Sequence, residues 1–255
     1  MDRPFISLIV PAYNEQSRLP TSLEKMRSFL ARQPFTCEVL VVDDGSRDRT
    51  PDVVKEAMAR FPQLRLLQEP HGGKGRAVRQ GVLAARGRYV MFCDADLSMP
   101  VEEVPKFPKA LEDGRYQIAI ASREVAGARR IGEPWHRHLM GRVFNLIVRL
   151  LAVPGLQDTQ CGFKCFTREA AGEIFRRQVI DGWGFDVEVL YIARKLGIGI
   201  TEVPIDWYYS PSSRIDPIRD TIRMFNEVLL VRANDRRGVY DSPRESEEAA
   251  PRAGR

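Results

Sequence analysis

Tyr89-Val90-Met91-Phe92-Cys93-Asp94-Ala95-Asp96-Leu97-Ser98-Met99-Pro100 begins as an unbroken apolar, β-prone run and ends in two carboxylates one residue apart. A run of that kind belongs in a strand covered on both faces. In extended backbone, residues i and i+2 point to the same side, so Asp94 and Asp96 bring hard oxygen ligands to one point where the strand surfaces. The carboxyl ends of strands are where open α/β sheets bind ligands. Mg²⁺ or Mn²⁺ held by one or two carboxylates completes its shell with substrate phosphates, which points to a metal-bound nucleoside diphosphate. Asp-x-Asp alone is also an ordinary solvated loop sequence, so its weight comes from what surrounds it.

Toward the N-terminus the same arrangement recurs. Phe5–Val10 reads as a strand, followed by Pro11-Ala12-Tyr13-Asn14-Glu15 and a helix with Leu19, Leu23, Met26 and Leu30 on one face. Glu38–Val42 is a second strand, running through Asp43-Asp44-Gly45-Ser46 into a helix over 50–60 that carries Pro51 near its start. Leu64–Leu67 is a third, and Pro70-His71-Gly72-Gly73-Lys74-Gly75 then opens a helix reaching about Ala84. Strands alternating with helices predict a mostly parallel, twisted sheet with helices on both faces and binding residues in the loops after the strands. Lys74 lies among glycines at a helix start, where backbone N–H groups, the helix dipole and an ammonium together favour phosphate. The spacing matches neither a Walker A loop nor a dinucleotide fingerprint.

Toward the C-terminus a helix over Val101–Glu112 and a strand over Gln117–Ala121 lead to Ser122-Arg123, and there the regular alternation stops. Pro134–Ala152 reads as a helix on which His138, Arg142, Asn145 and Arg149 form one polar stripe on an otherwise apolar cylinder. Such a helix is either buried in the core, paired, or in lipid. Asp158-Thr159-Gln160-Cys161-Gly162-Phe163-Lys164 reads as a turn and strand. Phe185-Asp186-Val187-Glu188 enters a helix whose first-turn acids the dipole stabilises, so capping alone could explain Asp186. Ile200–Trp207 is a strand, 210–214 a loop, and Ile215–Arg232 a second amphipathic helix. The remainder from about Ala233 has almost no apolar anchor and is expected to be disordered.

With 255 residues, 44% hydrophobic and 29% charged, the chain can bury the core of one large domain or two small ones. It lacks the roughly 18 to 20 apolar residues in succession that span a bilayer, and its start shows no signal-peptide pattern, so a cytoplasmic protein is expected. Cys37, Cys93, Cys161 and Cys165 lack paired metal-site spacing and read as reduced structural thiols. A formal charge of +5 permits an anionic partner. The basic residues alternate with large aliphatics and not with exposed stacking aromatics, which argues against nucleic acid.

Val10-Pro11-Ala12-Tyr13-Asn14-Glu15, Val41-Val42-Asp43-Asp44-Gly45-Ser46 with Asp48 and Thr50, Gly73-Lys74-Gly75, and Asp94-Ala95-Asp96, in that order, resemble the nucleotide-binding half of inverting family 2 glycosyltransferases. The resemblance implies the GT-A fold, a Rossmann-like α/β sheet. It places Pro11, Ala12, Tyr13, Glu15 and Asp43 at the nucleotide base, Lys74, Asp94 and Ala95 along the rest of the donor, and a Mg²⁺ or Mn²⁺ ion on Asp94 and Asp96. Read without it, Tyr13 and Asp43 fit core packing and helix capping as well. The segments Asp158–Lys164 and Phe185–Glu188 and the two amphipathic helices resemble the polyprenyl-phosphate branch of the family, particularly dolichyl-phosphate β-glucosyltransferases.

That resemblance implies one domain over 1–232, with 5–123 binding a nucleotide-diphosphate sugar and 124–232 facing a polyprenyl or dolichyl phosphate and the cytoplasmic face of a membrane. The tail 233–255 has no assigned role. Asp96, Lys74 and Asp186 are the catalytic candidates, and Ser122, Arg123, Arg137 and Arg214 the acceptor-binding ones; any single arginine could instead be a solvated surface residue. Dolichyl-phosphate mannose synthases commonly carry Gln where this chain has Ser98, which favours UDP-glucose over GDP-mannose as donor. A non-catalytic nucleotide-sugar or anionic-lipid binding protein is the alternative of another class. The two apolar helix faces could bury themselves in lipid or in a homo-oligomer contact.

Overall fold

The strands sort their side chains by parity. In β1 (Ile6–Ala12) Ile6, Leu8 and Val10 enter one apolar layer and Ile9 the other. In β2 (Cys37–Asp44) Val39 and Val41 join the first, Leu40 and Val42 the second. Period-2 alternation between two buried layers leaves a continuous apolar run in sequence, and helices cover both faces. α1 (Leu19–Leu30) and α2 (Thr50–Met58) cover the first layer through Leu19, Leu23, Met26 and Val54. α3 (Lys74–Ala84), which follows β3 (Leu64–Glu69), covers the second through Ala77, Val78 and Val82.

A computed structural model describes residues 3–209 and 217–244. The chain continues through β4 (Tyr89–Phe92), α4 (Lys106–Lys109), β5 (Ile118–Ser122), β6 (Arg129–Ile131), α5 (Trp135–Leu151) and β7 (Lys164–Thr167). It ends with α6 (Arg168–Phe175), α7 (Phe185–Lys195), β8 (Ile200–Pro204), β9 (Asp206–Tyr208) and α8 (Pro217–Arg236). Among the described residues the main sheet has seven strands in the order β3-β2-β1-β4-β7-β5-β8. The strands β3, β2, β1 and β4 run parallel, as do β5 and β8, whereas β7 is antiparallel to both its neighbours. The predicted mixed α/β, mostly parallel architecture is therefore present. The loops after β1, β2, β3 and β4 emerge along one edge.

Three expectations need correction. The single helix over 101–112 is a 3₁₀ turn at Val101–Glu103 and the one-turn α4. Pro105 and Pro108 remove N–H donors that a longer helix needs. The strand over 200–207 is two strands: β8 pairs with β5 in the main sheet, and β9 pairs with β6 in a separate ribbon. The tail is ordered well beyond Ala233, because α8 runs to Arg236 and the chain then turns to bury Tyr240 completely. Tyr191 Oη and Lys195 Nζ hold Asp235, and Arg244 N–H donates to Arg176 O at 2.9 Å. A single aromatic anchor with local ion pairs orders a segment whose composition is polar. Residues 245–255 lie outside the described residues.

Candidate active site

The loops after β1 and β2 are knitted together by side chains of the motifs read above. Asn14 N–H donates to Ser46 Oγ at 2.9 Å, and Arg47 N–H returns a bond to Asn14 Oδ1 at 2.8 Å. Glu15 N–H donates to Thr50 Oγ1 at 2.8 Å, and Asp48 accepts from Thr50 N–H at 2.9 Å. Pro11 and Ala12 close β1, and Tyr13 follows with its ring stacked on His71, centroids 4.3 Å apart. Asp43 is buried and accepts from Ser46 N–H at 3.3 Å. The base-binding candidates thus share one corner of the sheet edge.

Asp44, which the sequence reading did not single out, has the more extensive contacts. Its carboxylate accepts from Gly72 N–H at 2.8 Å and Gly73 N–H at 2.9 Å, and His71 Nδ1 lies 2.9 Å from it. Gly75 and Arg76 N–H both donate to Asp181 O, at 2.8 and 3.4 Å. The N–H groups expected to cradle phosphate are therefore taken by protein acceptors.

Lys74 Nζ donates to Asp94 Oδ1 at 2.7 Å and lies 5.0 Å from the centroid of the Trp183 ring. Burial would lower its pKa, but the carboxylates of Asp94, Asp186 and Asp96 outweigh that and hold the ammonium above the usual lysine range. Asp96 Oδ1 accepts from Ser98 N–H at 3.0 Å, and Arg18 approaches Oδ2 at 3.9 Å. Ala95 O accepts from buried Ser22 Oγ at 2.7 Å, which fixes the loop to α1. Gly162 supports Asp94 from the other side: a Cβ there would lie 2.6 Å from Asp94 Cγ and closer still to a carboxylate oxygen. The Asp158–Lys164 segment is thereby brought against the Asp94-x-Asp96 loop. Two adjacent, partly exposed carboxylates suit a hard cation that takes its remaining ligands from a diphosphate. Among the described residues no group of three or more His, Cys, Asp or Glu is placed to hold a metal unaided.

Other candidates have different partners. Asp186 is nearly buried and paired with Lys164 Nζ, itself fully buried, which also donates to Cys161 O at 2.9 Å. Asp186, a catalytic candidate from sequence, is here the counter-ion of Lys164 and bears on Lys74 through its charge. Ser122 is fully buried at the end of β5 and accepts from Glu124 N–H at 3.4 Å. Arg123 forks onto buried Asp158 through Nε at 2.7 Å and Nη2 at 3.0 Å, with its own N–H adding a third bond at 3.0 Å. Its guanidinium also lies 5.2 Å from the centroid of the Trp207 ring. The Arg137 side chain and Arg214 lie outside the described residues.

Burial favours the neutral form of Asp158, but Arg123 overrides it and pulls the carboxyl down to about 2. Because this folded-state pKa is depressed, its stabilisation is present above the unfolded value near 3.9 and is lost as pH falls through about 2. Asp158→Asn should therefore flatten the fall of Tm between about pH 5 and 2, a contribution of about 2 kcal/mol. Arg123→Ala leaves the carboxylate buried and unpaired and should cost about 3–5 kcal/mol in chemical denaturation at pH 7.

A strand-ended carboxylate pair, a lysine on the first of them and interlocked loops after β1 and β2 lie together where open α/β sheets bind ligands. Residues 7–175 match the profile of Glycosyl transferase family 2, and the chain belongs to that family. Within it, the chain is 36% identical over 253 residues to a dolichyl-phosphate beta-glucosyltransferase of Dictyostelium discoideum, covering 94% of this chain and 77% of the relative. It is 34% identical over 249 residues to the Homo sapiens enzyme of the same name, covering 92% and 77%. Among solved structures, glucosyl-3-phosphoglycerate synthase from Mycobacterium tuberculosis, in complex with Mn²⁺, UDP and glucosyl-3-phosphoglycerate, superposes with a TM-score of 0.64 at 21% identity. That alignment covers 92% of this chain and 80% of the other, and it establishes the shared fold.

Proposed function

We propose that this glycosyltransferase moves glucose from UDP-glucose onto a polyprenyl or dolichyl phosphate with inversion, working at the cytoplasmic face of a membrane. The observation that carries the reading is the meeting of Lys74 and Asp94 at 2.7 Å, in a chain more than a third identical over nearly its whole length to an enzyme named for this transfer. As the sugar leaves, negative charge develops on the diphosphate, and the Lys74 ammonium beside Asp94 is positioned to stabilise it. Asp94 and Asp96 would hold a Mg²⁺ or Mn²⁺ ion, which would supply Lewis-acid neutralisation of the same charge. The acceptor is a phosphate monoester with a second pKa of about 6, already anionic at pH 7, so cationic positioning matters more than a strong base. Arg137 and Arg214 are the acceptor-phosphate candidates.

Membrane attachment is supported by the way α5 faces the protein. His138 Nε2 lies 3.3 Å from Glu124, and Asn145 bonds Gln157 O and Thr159 Oγ1, so part of the polar stripe faces inward. Trp135 and Leu146 are exposed at 77% and 52%, and Phe225 and Leu229 of α8, which packs beside α5, are exposed too. No helix among the described residues is long and apolar enough to cross a membrane. Apolar side chains turned outward on two adjoining helices fit an interfacial, peripheral attachment. Phe225→Asp/Leu229→Asp should abolish flotation with anionic liposomes while leaving UDP binding intact. Equal flotation of the variant, with a lost oligomeric state, would assign the face to self-association.

The functional test is release of nucleoside diphosphate from a panel of nucleotide sugars with Mg²⁺ or Mn²⁺ and a short-chain polyprenyl phosphate. Release confined to UDP-glucose and dependent on the lipid supports the reading. Preference for GDP-mannose, or binding of donor without turnover, overturns it.

A further inference from the structure

Beneath the Gly73-Lys74-Gly75 turn runs the strap of residues 178–182. Gly75 N–H and Arg76 N–H donate to Asp181 O, while Gln178 Nε2 donates to Gly75 O at 3.0 Å and to Ile180 O at 2.9 Å. The approach is close enough that a Cβ on Gly75 would lie 2.5 Å from Ile180 O, and one on Gly73 2.5 Å from Asp181 O. The strap is in turn held by one buried carboxylate. Glu188 of α7 accepts from Val179 N–H at 3.0 Å, Ile180 N–H at 2.9 Å and Tyr240 Oη at 2.9 Å. Tyr240 is itself fully buried, and its Oη accepts from Asn234 Nδ2 at 3.3 Å.

We propose that Glu188 and Tyr240 form a positioning pair for the donor diphosphate, setting Lys74 by clamping the 178–182 strap under its turn. The proposal rests on the reading of Lys74 as the diphosphate contact. Neither residue touches substrate: the clamp acts through the backbone, from the segment after α8 to α7, to the strap, to the turn, and so to the Lys74–Asp94 pair. Glu188 accepts all three of these bonds in one arrangement, and a buried carboxylate so bonded fixes the geometry of the strap. A displacement of the turn by a fraction of an ångström moves an ammonium that must meet the diphosphate oxygens at hydrogen-bond distance.

The test uses the full chain and Tyr240→Phe, which keeps the buried ring and removes the Oη that donates to Glu188 and accepts from Asn234, with Glu188→Gln as second variant. Hydrogen exchange at Gly75 and Arg76 N–H and calorimetric affinity for UDP with Mn²⁺ are measured together. Both variants should speed exchange at these two amides and weaken UDP binding, each by about fivefold, the equivalent of one ordinary hydrogen bond. KM for UDP-glucose should rise with no change in KM for the lipid phosphate. A purely structural role would lower Tm and leave UDP affinity and both KM values in place, which overturns the proposal, as does unchanged exchange in Tyr240→Phe. Lys74→Ala separates the two readings. If it fails to weaken UDP binding, the diphosphate assignment falls and takes the clamp's purpose with it. If it weakens UDP binding while the clamp variants do not, only the clamp is wrong.

Discussion

Gly162→Ala is expected to cut turnover by about a hundredfold while the protein stays folded. The new methyl would sit 2.6 Å from Asp94 Cγ, a separation that packed Cβ atoms do not adopt. Asp94 is half-buried and at the end of a side chain, so the carboxylate yields before the sheet does. Its movement breaks the 2.7 Å contact with Lys74 and misplaces the oxygen offered to the metal. Circular dichroism and a Tm within a few degrees of wild type would accompany the lost rate. Full turnover would mean that the Asp158–Lys164 segment can retreat freely, and that its packing against Asp94 has no part in the site.

Asp96→Ala should be more severe, lowering kcat by about a thousandfold or more, since on the proposed reading it removes a carboxylate that would hold the metal at the leaving group. Its structural cost should be small. Asp96 accepts one loop N–H bond from Ser98 and approaches Arg18 only at 3.9 Å, so the change touches little core. Kinetics over a Mn²⁺ titration check the assignment: the variant should show no metal-stimulated rate at any concentration. A near-normal metal-dependent rate would take Asp96 out of the site.

Much of this arrangement is legible in the sequence because local chemistry decides it. The β1 to β4 units announce themselves through apolar runs ending in turn residues, and Asp94, Asp96 and Lys74 mark the loops. What is not legible depends on partners far along the chain. Asp43 and Asp44 are chemically equivalent in sequence; only the arrival of Gly72 and Gly73 N–H, 28 and 29 residues on, singles out Asp44. Lys164 stands in an apolar run and would be read as exposed, yet Asp186, 22 residues away, lets its ammonium be buried. The partner of Arg123, Asp158, lies 35 residues on, and no local pattern announces the pairing. Tyr240 is one apolar residue in a polar tail, and its anchor Glu188 lies 52 residues back. By contrast, Pro105 and Pro108 are a local signal against a long helix after Val101, one that apolar periodicity alone does not weigh.

The most direct measurement is of the lipid product itself. Purified protein with UDP-glucose, Mg²⁺ and a short polyprenyl phosphate should give, by mass spectrometry of the organic extract, a species heavier by one hexose, with β configuration at the new phosphate linkage by NMR. The same mixture with Asp96→Ala should give none. UDP-glucose hydrolysed without a glucosylated lipid, or a product of α configuration, would contradict the transfer proposed for this site.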